Sequence, residues 1–206
     1  MELVFSHRME SMQPSAIREI FKNIADPSII PFAGGNPSHE AFPVKELENI
    51  ARIVFENNPI TALQYSVTEG YPLLRDAVKS FAQSREPGIL HPGDDIIITT
   101  GAQQAIDLAT KALVNEGDTI LCEDPSFIGA LNTFRTYRAN LVGVELEEDG
   151  ISVEKLEAAL KEHPDAKILY LIPNFQNPTG GTMSLEKRRA VYDLCLRHHV
   201  VILEDN

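Results

Sequence analysis

Residues 96–206 predict an α/β domain with a mostly parallel sheet and helices on both faces, preceded by a helical N-terminal arm. Three observations carry this. Short β-branched and aliphatic runs recur along the stretch, and the segments between them repeat apolar residues at helical spacing over about ten to fifteen residues. The run Ile168-Leu-Tyr-Leu-Ile172 is apolar throughout, as a strand buried on both faces requires. Strands separated by single helices are joined by crossover connections, which make neighbours parallel.

In the arm (residues 1–95), Ile17, Ile20, Phe21 and Ile24 follow Pro14 and Ser15 at helical spacing and predict a first helix. The turn formers of Pro31–Ser38 predict an extended loop. Leu47, Ile50, Ala51, Val54 and Phe55 mark a second helix, and Leu74, Ala77, Val78, Phe81 and Ala82 a third. Pro87, Gly88, Pro92 and Gly93 punctuate Ser84–Asp95. Residues 96–206 then predict strand Ile96–Thr100, helix Gln103–Asn115, strand Thr119–Cys122, helix Phe127–Tyr137 and strand Leu141–Val144. Helix Val153–His163, strand Lys167–Ile172, helix Leu185–His198 and strand Val200–Leu203 complete the pattern. The charge run Glu145–Asp149 is expected to be a solvated loop.

Composition narrows the function classes. The net charge of −12 disfavours a nucleic-acid or anionic-membrane partner, since polyanion binding needs a basic surface. It leaves room for a small anion held by local amides. Cys122 and Cys195 form no CxxC pair and suit a reducing compartment. Neither a signal peptide nor a run of about eighteen apolar residues is present, so a cytoplasmic protein is expected. No GxGxxG, GxxxxGK[ST] or GxSxG occurs, and the histidines lack metal-ligand spacing.

The remaining signals lie where strands end. Thr99-Thr-Gly-Ala-Gln-Gln104 joins a strand to a helix, and a helix N-terminus entered through glycine can cradle a phosphate with its free N–H groups. Asn174-Phe-Gln-Asn-Pro-Thr-Gly-Gly181 follows a buried strand with a tight polar loop, in which Pro178 suits a cis bond. Glu204-Asp205 closes the last strand, at the carboxyl edge where open α/β sheets place ligand-binding residues. Each has a plain structural alternative: a surface turn, a solvated strand end or, for Phe127 at a helix start, a core aromatic.

Taken together and in order, these segments resemble the class I/II pyridoxal-phosphate-dependent aminotransferases of fold type I, and within them the aminoadipate and kynurenine aminotransferase subgroup. Phe32–Pro37, Gln64–Arg75, Thr99–Leu108, Glu123–Phe127, Ile172–Gly180 and Glu204-Asp205 carry the resemblance. It implies a fold type I large domain, present here only in its first part, and pyridoxal 5'-phosphate as cofactor. Ala102 and Gln103 would give backbone amides to the phosphate, Phe127 would stack on the ring, and Asn177 would bond the ring 3-oxygen. Asp205 would pair with the ring nitrogen and is the catalytic residue of this stretch. Tyr65 would reach the partner's phosphate in a homodimer. Gly34, Gly35 and Arg18 would face the substrate. Asp124–Pro125 and Asn177–Pro178 would be cis.

The implied reaction moves an amino group between an amino acid and a 2-oxo acid. The resemblance places the Schiff-base lysine beyond Asn206, so this chain by itself is expected to be inactive. A β-lyase or decarboxylase on the same fold is one alternative. An aminotransferase-like sensor domain of a transcription regulator is another, disfavoured by the acidic charge and by an arm that starts near Met1.

Overall fold

In the computed structural model, residues 3–10 and 37–206 are described. The expected helix around Ile17–Ile24, and all of the Pro31–Ser38 loop before Pro37, lie outside them. The chain divides into two compact units, Met1–Gln13 with Thr99–Asn206 and Pro14–Ile98.

In the Pro14–Ile98 unit, a 3-10 turn (His39–Ala41) precedes α2 (Val44–Asn57), α3 (Pro59–Leu63) and α4 (Pro72–Arg85). Proline opens α3 and α4 at the first helical position, where a missing N–H costs nothing. None of these three helices contains a buried residue. The expected strand Ile96–Thr100 is not formed. A β-branched run becomes a strand only with a ladder partner, and none pairs with it among the described residues. Instead Ile98 N–H donates to the Glu69 carbonyl, and Arg75 Nε donates to the Ile96 carbonyl at 2.6 Å. A Cβ at Gly70 (φ 109°) would collide with Ile98, so glycine permits this approach.

The other unit holds α1 (His7–Glu10) and five strands: β1 (Thr119–Asp124), β2 (Asn140–Glu147), β3 (Gly150–Ile151), β4 (Ile168–Leu171) and β5 (Val201–Glu204). Their order is β3-β2-β1-β4-β5, parallel except for the β2–β3 hairpin. The helices are α5 (Ala102–Leu113), α6 (Ile128–Thr136), α7 (Val153–Glu162) and α8 (Leu185–His198). Strand periodicity sorts the core into two layers. Leu121, Leu169 and Leu171 pack with Leu156 and Leu160 of α7 and Val191 and Leu194 of α8. Ile120, Cys122, Ile168, Tyr170 and Ile172 pack with Ile106 of α5 and Phe134 of α6. The sheet is therefore covered on both faces, as its apolar strands require.

The charge run Glu145–Asp149 corrects an expectation. Glu145–Glu147 are strand residues, and only the tip is a turn. Lys187 of α8 reaches Glu147 at 2.5 Å and Asp149 at 2.7 Å, while Lys155 of α7 pairs with Glu145. The run is thus solvated as expected, but it is strand through Glu147, with lysines from two helices beside it.

Candidate functional site

The parallel strands point their carboxyl ends one way, and Phe127, Asn177 and Asp205 follow strands at that edge. Helix α5 leads to the amino end of β1, so its own N-terminus lies at the opposite, carboxyl edge. Gly101 (φ 84°) precedes α5, no side chain caps the helix, and a Cβ at Gly101 would meet nothing. Ala102 and Gln103 are exposed, and their first-turn amides lie at the positive end of the helix dipole without a side-chain cap.

Phe127, half-buried, precedes α6 at the exit of β1. Its ring and the Gln103 amide both crowd Gly129, where a Cβ would strike them. Gln103 Nε2 donates to the Gly129 carbonyl at 3.3 Å and to Thr133 Oγ1 at 2.5 Å, which locks the entry of α5 to the first turns of α6. The N-terminus of α5 and the Phe127 ring are thus adjacent.

The loop after β4 is built around Gln176, which is buried. Its Nε2 donates to Glu123 Oε2 and to the Pro125 carbonyl, and its Oε1 accepts from the N–H and hydroxyl of Thr179. Both Asp124–Pro125 and Asn177–Pro178 are cis, as the resemblance implied. Asn177 is exposed at the tip of this loop. Asn174 is held by Arg188 and donates to Asn206, so the loops after β4 and β5 are joined.

Asp205 follows β5 and is half-buried. Its N–H continues the ladder to the Leu171 carbonyl, and its Oδ2 accepts from the Tyr170 hydroxyl at 2.6 Å. Oδ1 accepts no hydrogen bond from the described residues. Glu123 is buried with Oε1 unpartnered, and burial raises its carboxyl above the ordinary range.

A cleft of about 370 Å³ opens beside this edge, lined by Glu123, Pro125, Leu146, Ile172, Gln176 and Met183 among others. It touches neighbours of the candidate residues but none of Ala102, Gln103, Phe127, Asn177 and Asp205 themselves. Tyr65 lies in the Pro14–Ile98 unit and is almost fully exposed. Gly34, Gly35 and Arg18 lie outside the described residues. Sequence reasoning missed Tyr170 and Glu123. The signal for Tyr170 was a lone hydroxyl in an otherwise aliphatic buried strand.

An uncapped helix N-terminus with the Phe127 ring beside it, and the Asp205 carboxylate after β5, stand at the same edge of the sheet. A sequence model of the aminotransferase class I and II family matches residues 27–206. The 2-aminoadipate transaminase of Thermus thermophilus is 41% identical, over 95% of this chain and 47% of that protein. Aromatic-amino-acid aminotransferase 1 of Thermococcus litoralis is 37% identical, over 100% of this chain and 50% of its own length. The crystal structure of Pyrococcus horikoshii kynurenine aminotransferase, a complex with PMP, kynurenine substrates and KYA products, superposes with a TM-score of 0.91 at 33% identity. It matches 98% of this chain and 50% of its own. The chain spans about half the length of the curated relatives it matches. This chain belongs to the class I and II aminotransferase family.

Proposed function

We propose that the protein carrying this chain transfers an amino group between an amino acid and a 2-oxo acid with pyridoxal phosphate as cofactor. The observation that carries the reading is the carboxyl edge of the sheet. An uncapped α5 N-terminus adjoins the Phe127 ring there, and β5 of the same sheet ends at the Asp205 carboxylate.

When bound, the cofactor supplies an electron sink for charge developing at the substrate α-carbon. The chain's own residues bind and orient it. The Ala102 and Gln103 amides hold the phosphate, and the Phe127 ring covers one face and excludes water there. Asn177 offers an amide to the ring 3-oxygen. Asp205 keeps a proton at the ring nitrogen, which lets the ring accept negative charge. Several helical lysines pair with carboxylates among the described residues: Lys155 with Glu145, Lys161 with Glu157, and Lys187 with Glu147 and Asp149. The family resemblance places the amine that reacts with the cofactor outside residues 1–206. Names of the relatives favour 2-aminoadipate, aromatic amino acids and kynurenine as donors.

The test is to titrate the full-length protein with pyridoxal phosphate and follow visible absorbance, then assay amino transfer from these donors to 2-oxoglutarate. Saturable binding with transfer above the free-cofactor background is expected. Binding without transfer, accompanied by decarboxylation or elimination, would replace the reaction but keep the site.

A further inference from the structure

We propose that Tyr170 is a positioning residue for Asp205, holding the carboxylate in one orientation so that Oδ1 stays available to the ring nitrogen. This rests on the cofactor reading above.

Tyr170 sits in the middle of β4 and is fully buried. Its neighbours on the same face of that strand, Ile168 and Ile172, are aliphatic. A phenol in such a place needs a partner for its hydroxyl, and a phenylalanine would fill the same volume without one. The register explains the choice. Tyr170 lies opposite Leu203 of β5, and Asp205, two residues further on, points to the same face. The phenol is long enough to reach along that face, and its hydroxyl donates to Asp205 Oδ2 at 2.6 Å. The ring cannot swing away. Phe134 meets it edge to face with centroids 5.5 Å apart, within the closed layer beneath α5 and α6.

A hydrogen bond to a charged carboxylate is stronger than a neutral one and fixes direction as well as energy. Burial, Asp205 and Glu123 all push the phenol well above its ordinary range, so it remains a donor at every working pH. Asp205 is thereby held by its backbone in the ladder to Leu171 and by its side chain at one oxygen only. The other oxygen is left for the ligand.

The experiment uses the full-length protein and a double-mutant cycle of Y170F and D205N. Y170F removes one oxygen atom and keeps the packing, so folding is retained. In Y170F, kcat is expected to fall by about tenfold, with cofactor content and KM for the amino donor little changed. The pH midpoint of the bound cofactor's visible band should also move by about one unit, because a mobile carboxylate holds the ring proton less well. In the D205N background the same change should have almost no further effect, since Tyr170 acts through Asp205. Additive losses in the double variant, or a Y170F protein whose band titrates like wild type, would overturn the proposal. A wild-type protein with no saturable band would overturn the cofactor reading and this inference with it.

Discussion

Gln176 donates to Glu123 Oε2 at 3.0 Å across 53 positions of sequence, and the same amide nitrogen donates to the Pro125 carbonyl at 2.9 Å. This one side chain ties the loop that presents Phe127 to the loop that presents Asn177. Glu123 also accepts from the Ile172 N–H, so both loops hang from a single buried carboxyl group.

That arrangement predicts a pH dependence. Burial raises the Glu123 carboxyl above its ordinary 4.5, while the bonds from Gln176 and Ile172 oppose the rise. The folded chain therefore holds this proton more tightly than the unfolded chain, and stability falls as pH rises from about 4.5 through the folded value. E123Q keeps an acceptor oxygen and has no proton to lose. Urea unfolding should show E123Q gaining on wild type as pH rises from about 4.5 through the folded value. E123A leaves two buried donors short of a partner and should cost about 1–3 kcal/mol. A stability gap between E123Q and wild type that is flat in pH would contradict this.

Gly129 separates binding from folding. Gly129 is the second residue of α6, and the half-buried Phe127 ring must move to admit a Cβ in G129A. Its Cβ would occupy the space of the Phe127 ring and the Gln103 amide. Thermal unfolding without cofactor should change little, while the dissociation constant for pyridoxal phosphate should rise. Equal cofactor affinity would show that the Phe127 ring is not the stacking wall.

Much of this was legible because periodicity is a local property. Helix Leu185–His198 coincides with its predicted bounds, aided by the Ser184 cap that accepts from Lys187 N–H. The layer assignment of Leu169 and Tyr170 follows from alternation alone. The failure at Ile96–Thr100 has the opposite cause. Its β-branched residues are suited to a strand, but pairing is non-local and no window of sequence contains the partner. The role of Gln176 was hidden for the same reason, since its meaning lies in a contact with β1. Asp205 was visible as a carboxylate at a strand end, whereas Tyr170 looked like core until the register set it beside that carboxylate.

In the full-length protein, D205N should fold and retain most of its cofactor while turnover falls by several hundredfold or more, on the scale of roughly 3–4 kcal/mol for losing a charge that acts in the transition state. The amide cannot keep the ring nitrogen protonated. Comparison of kcat with cofactor content decides it: near-normal kcat would assign Asp205 another role.

A homodimer is the proposed assembly. Leu47, Ile50 and Val54 of α2 lie at helical spacing, and all are exposed, as are Leu73, Leu74 and Phe81 of α4. Exposed apolar residues at helical spacing suit a contact surface. Light scattering should give twice the chain mass at micromolar concentration, and I50E should lower it toward the monomer. A wild-type monomer that is stable and active would contradict the assembly.

The most direct measurement is a crystal structure of the full-length protein grown with pyridoxal phosphate. The phosphate should lie within about 3 Å of the Ala102 and Gln103 amides, and the ring nitrogen within about 3 Å of the Asp205 carboxylate, with Phe127 against the ring. A cofactor seated instead in the cleft of Leu146, Glu148 and Met183, or an Asp205 turned away from the ring, would contradict the account.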